Sequence, residues 1–163
     1  IAALSDTPGF IERAHDLYGY PNFVCDSGGS ICEVVDPEDP DDPILKLLGD
    51  HLLMVWIKGG EAHRDELIRR FDRAPKPIYY QRAFLNRVWQ DYLREQALPA
   101  NRVDPDAFLR FAYARLLDHR QPRYAAMARR GITLAAEDVA GIGTVADFSA
   151  LIAHSLETQG ARP

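Results

Sequence analysis

Only two of the 163 residues are cysteine, Cys25 and Cys32. The six residues between them match neither a redox Cys-x-x-Cys nor a zinc-ligand pair, so both read as small apolar residues of a reducing compartment. No apolar run approaches the roughly 20 residues that a membrane span needs. The longest, Leu52 to Ile57, has the length of a strand, and no secretory signal is visible, so a cytoplasmic location is expected. Positive charge is in deficit: 19 Lys and Arg against 24 Asp and Glu leave a net charge of -5, which argues against broad electrostatic binding to nucleic acid. The histidines His15, His51, His63, His119 and His154 form no i, i+4 pair, which weighs against a metal hydrolase built from one of them with Asp26 and Glu33. The chain opens on Ile1 without an initiator Met, so a processed start or a portion of a longer protein is expected.

The most informative stretch is Tyr20 to Asp36. Phe23, Val24 and Cys25 read as a short strand that delivers Asp26 to a sheet edge. Ser27, Gly28, Gly29 and Ser30 follow, and paired glycines let the backbone turn or approach a ligand closely. Ile31 to Val35 is a second apolar stretch that carries Glu33. Two carboxylates, two hydroxyls and a flexible turn suit a magnesium ion or a polar ligand. The same residues also suit a strand–turn–strand with ordinary turn chemistry.

Elsewhere the pattern alternates helix and strand. Pro8 to Tyr18 is expected to be a helix capped by Thr7 and ended by Gly19. Residues 36 to 43 hold five acids and three prolines and read as a solvated loop, without the Gly and Glu spacing of an EF-hand. Ile44 to Leu48 is expected to be a short helix ended by Gly49. His51 to Ile57 reads as a strand buried on both faces. Helices are expected at Ala62 to Arg73 and Ala83 to Gln96, the second with an aromatic core face. A third opens on Asp104-Pro105. His119 to Tyr124 reads as a loop and Tyr124 to Arg130 as a separate helix. Ile132 to Ala135 and Ala146 to Leu156 complete the order as strand and helix. The fold expected is one α/β domain over residues 1 to 163, with a partly parallel sheet of few strands and flanking helices.

Asn22-Phe-Val-Cys-Asp-Ser-Gly-Gly-Ser-Ile-Cys-Glu33, Asp50 to Ile57, Glu66 to Arg73 and Gly131 to Leu134 together resemble the later half of P-loop kinase-like proteins. More closely they resemble a proteobacterial family labelled "ATPase". The resemblance implies a P-loop NTPase-like fold, incomplete in this chain, with ATP and Mg as cofactors of the full-length protein. It implies that Asp26 supports magnesium and that Arg69, Arg70 and Arg73 face transferred phosphate. Ser27, Gly28, Gly29 and Glu33 would shape the cofactor and acceptor side, the acceptor being an unidentified small molecule. The loop Gly-x-x-x-x-Gly-Lys-Ser/Thr occurs nowhere in the sequence. It would therefore lie upstream of Ile1, and these residues alone are not expected to hydrolyse ATP or bind it tightly. The alternative is a non-catalytic α/β binding or assembly module. Its docking surfaces would be the acidic loop 36 to 43 and the basic set Arg120, Arg123, Arg129 and Arg130.

Overall fold

The computed structural model describes residues 2–160. Helix makes up 66% of the chain, and a two-stranded parallel sheet accompanies it, a loose α/β arrangement. The chain divides into two compact units, Ile1–Ile57 with Arg123–Pro163 and, between them in sequence, Lys58–Pro122.

The first unit begins with α1 (Ala2–Ser5) and α2 (Thr7–Tyr18). Gly19 closes α2 in the left-handed conformation (φ 63°), where glycine has no Cβ penalty, and its N–H returns to His15 O. Thr7 is buried inside the helix, and the N-cap position falls on Asp6 instead. Phe23 to Cys25 forms no strand, and Val24 is 88% exposed. Three apolar residues satisfy no backbone group unless a second strand pairs with them, and none does among the described residues. Nor is Ile31 to Val35 extended: Gly29–Glu33 is a turn of 3-10 helix. Ile31, Cys32 and Val35 are buried while Val34 is exposed, a spacing that belongs to a helical turn and not to the alternation of a strand.

The acidic segment 36–42 has no regular secondary structure, as its composition dictates. Asp42 ends it as the N-cap of α3 (Pro43–His51). One carboxylate oxygen accepts from Ile44 N (3.0 Å) and Leu45 N (2.8 Å), the other from Asp36 N (2.9 Å). Gly49 lies inside α3 and does not end it. Ile31, Cys32, Val35, Leu45, Leu48 and Met127 make the core of this unit.

The strand β1 is Met54–Lys58, and its partner β2 is Gly131–Ala135. The first is not buried on both faces: Met54 to Trp56 are half-buried and Ile57 is 48% exposed. The strands approach so closely that a Cβ on Gly131 would stand 2.0 Å from Met54 O. Beyond β2 come α7 (Ala136–Ala140) and α8 (Val145–Gln159), both packed on that strand. A capping box starts α8, with Thr144 Oγ1 accepting from Asp147 N and Asp147 Oδ2 accepting from Thr144 N.

The second unit is helical. Its elements are α4 (Glu61–Arg73), α5 (Arg82–Gln96) and most of α6 (Pro105–Ala128), whose residues from Arg123 onward belong to the first unit. Phe84, Val88, Ala112 and Leu116 form its core, and Trp89 and Tyr92 meet Phe108 edge-on. Ile78 to Tyr80 is irregular. Arg64 clamps Asp118 with two bonds, Nε to Oδ1 at 2.7 Å and Nη2 to Oδ2 at 2.8 Å. That fork raises the Arg64 pKa and lowers that of Asp118.

The expected loop at His119 to Tyr124 is instead the middle of α6, which carries Pro122 internally. Ala112, Leu116 and Arg120 continue one buried stripe at i, i+4 spacing into it. Burial along that stripe outweighs the one backbone bond that a proline removes.

Candidate functional site

A cleft of about 430 Å³ opens in the first unit. Its lining includes Cys25, Asp26, Ser27, Gly28 and Gly29. Leu52 to Ile57 of β1 and its approach also line it, with Ile31, Leu48, Tyr124, Met127 and Ala128.

Parts of this lining are fixed by identifiable bonds. Gly28 takes φ 62°, which favours glycine, and its N–H donates to Asp26 Oδ1 at 2.9 Å. Nothing among the described residues bonds the other carboxylate oxygen, and Asp26 is exposed. Gly29 O accepts from Tyr124 Oη at 2.8 Å and from Cys32 Sγ at 3.3 Å, so the turn is tied to α6 and to the 3-10 helix. One residue before Tyr124, Arg123 donates through Nε to Cys32 O (2.8 Å) and through Nη2 to Val35 O (3.0 Å). Farther along, Arg129 Nη2 meets Glu38 Oε2 at 3.1 Å and Arg130 Nη2 donates to Asp39 O at 2.7 Å.

This row joins three members of the basic set to the acidic loop and to the turn before it. Arg123, Arg129 and Arg130 are bonded to the segment 32–39, so the two surfaces face each other inside one unit. Arg120 belongs to the second unit, where it is buried and donates to Tyr79 O at 3.1 Å.

Asp26, Ser27, Gly28 and Gly29 come together at the cleft. Glu33 does not line it; the residue is buried in the 3-10 helix at 4% exposure. Arg69, Arg70 and Arg73 sit on α4 of the second unit and are exposed, with Arg69 paired to Glu66 at 3.0 Å. Trp56, Tyr124 and Met127 were not singled out as site residues by the sequence. They lie far apart in the chain, and no spacing rule links positions 56 and 124.

The electrostatics of the cleft are one-sided. Among the described residues that line it, Asp26 is the single charged side chain, with no Lys, Arg or His. No group of three or more His, Cys, Asp and Glu side chains is arranged to hold a metal ion among the described residues. No helix among them is long and apolar enough to cross a membrane. Comparison with family models, with curated proteins and with solved structures returns no match.

Proposed function

We propose that the first unit is a binding module. Its ligand lies in the cleft along β1, apolar for most of its length and bearing a cationic or hydrogen-bond-donating group that meets Asp26. The observation that carries this reading is the lining: Leu48, Leu52, Met54, Trp56 and Met127 offer apolar contact, and one carboxylate is the only charge among the described residues that line it. Pockets of this kind draw affinity from apolar burial and orientation from a few polar groups. A phosphate tail would find no cation on these walls, and Gly28 N–H is already bonded to Asp26.

The second reading is the nucleotide site of a P-loop NTPase, and Asp26 is what favours it. Magnesium is commonly held by one or two carboxylates with phosphate oxygens and water completing its shell, and Asp26 presents one open oxygen. In that reading the phosphate loop comes from residues outside this sequence.

Trp56 lines the cleft and Trp89 is the other tryptophan, so a Trp89→Phe background isolates the reporter. Decylammonium is expected to change Trp56 emission saturably, with decyl sulfate weaker and Asp26→Asn narrowing the difference. Equal response to both amphiphiles would sink the charge argument. Saturation by Mg-ATP alone would transfer the site to the nucleotide reading.

A further inference from the structure

We infer that the natural occupant of this cleft is an extended peptide carrying a basic residue, which adds a third strand to the sheet along the open edge of β1. The inference rests on the cleft reading above and goes beyond it in naming the backbone of β1 as the recognising surface.

The two edges of the sheet are treated differently. On β2, the side-chain amide of Gln159 accepts from Thr133 N at 3.0 Å and donates to Thr133 O at 2.8 Å. A strand neighbour would make that same pair of bonds, so the outer edge of β2 is closed by its own chain. On β1 no strand occupies the second edge among the described residues.

No residue of β2 lines the cleft, which sets it on the side of β1 away from β2. Leu52, Leu53, Met54, Val55, Trp56 and Ile57 all line it, and successive side chains of a strand point to opposite faces. Residues of both faces of β1 therefore contribute to this one cleft, as they do where a cleft follows an edge. A Cβ built on Gly131 of β2 would stand 2.0 Å from Met54 O, which puts that carbonyl on the β2 side. Alternate residues of a strand present N–H and C=O to opposite edges, which turns Val55 and Ile57 toward the cleft. Backbone bonds to these two would hold an extended chain, while Leu48, Leu52 and Met127 receive its apolar side chains. Asp26 selects the charge: a Lys or Arg on the peptide meets the one carboxylate of the lining.

The probe is an acetylated, amidated hexapeptide, Lys-Val-Thr-Val-Thr-Val, with two forms N-methylated at alternate residues. Binding and amide hydrogen exchange are followed by NMR on the full chain. One methylated register is expected to weaken binding about tenfold or more through lost backbone bonds, and the other to bind as the parent does. Val55 and Ile57 amides are expected to gain protection on binding. Norleucine in place of the lysine should weaken binding to the wild-type chain but not to Asp26→Asn, which keeps the oxygen that Gly28 N–H uses. Equal tolerance of both methylated registers, or no protection at Val55 and Ile57, would overturn strand addition. Response to decylammonium without response to the peptide would end this inference and leave the cleft reading standing; silence toward both would end both. Protection of Val55 and Ile57 that rises with protein concentration alone would assign the edge to a second copy of this chain and overturn the peptide.

Discussion

Replacing Arg123 with methionine should loosen the first unit by a large part of its stability. Its guanidinium is half-buried and satisfies two carbonyls, Cys32 O at 2.8 Å and Val35 O at 3.0 Å. Both carbonyls belong to buried residues, Cys32 at 0% and Val35 at 5% exposure. Methionine keeps much of the apolar stem, so the change isolates the bonds. A buried acceptor left without its donor costs about 1–3 kcal/mol, and partial access of water to this half-buried site places the pair at about 2–4 kcal/mol together. Against the ~5–15 kcal/mol that holds an ordinary domain folded, that is a visible loss. Lysine can replace one bond of the two, so Arg123→Lys should fall about midway. The assay is urea unfolding followed by Trp56 emission in the Trp89→Phe background, with the slope m compared between variants. A shift of Arg123→Met below about 0.5 kcal/mol, the level of an exposed ion pair, would refute the claim that this arginine holds the 3-10 turn.

Three further outcomes follow from other parts of the structure. Gly131→Ala should cost about 1–3 kcal/mol or more, because the new Cβ meets backbone at Met54 O and not the end of a flexible side chain; an unchanged urea midpoint would contradict the close approach of the strands. Tyr80→Phe should be neutral or slightly stabilising in thermal unfolding, since the hydroxyl is buried without a hydrogen-bond partner among the described residues, and a clear loss would reveal a partner. Asp42 and Asp118 should make the fold acid-sensitive. Burial opposes ionisation of Asp42, but the N–H groups of Asp36, Leu45 and Ile44 and the charge of Arg130 outweigh it and lower its pKa. The Arg64 hydrogen bonds lower that of Asp118. A carboxyl with a lowered folded-state pKa stabilises fully above its unfolded value of about 4 and loses that contribution as pH falls through the folded value. Asp42→Asn with Asp118→Asn should therefore flatten the stability profile below about pH 4, and an unchanged profile would show that other carboxyls set it.

The helices were the most legible part of the fold. Pro8 and Gly19 bracket α2, and Asp104 before Pro105 marks the start of α6, because caps act within a few residues of sequence. The strands at β1 and β2 were legible as apolar runs between glycines, but their partners were not, since pairing is a long-range event. That is why Phe23 to Cys25 resembled a strand and is not one. Local composition also misjudged Pro122, whose effect on the helix is decided by the burial of Leu116 and Arg120 around it. Half of the candidate site was readable in the same way. Asp26 to Gly29 announced a tight turn with a carboxylate, while Trp56, Tyr124 and Met127 reach the cleft only through the fold.

The bonds of Arg123, Arg129 and Arg130 to the segment 32–39 bear on how this surface is probed. Charge reversal at any of them would set a carboxylate against a carbonyl or against Glu38. At Arg123, whose two bonds are part-buried, a pull-down or interaction screen that lost signal after such a swap would also register a loosened 32–35 turn and not only a severed handshake with another molecule. Circular dichroism of each swapped variant tells the two apart before any partner is assigned to that end of the helix.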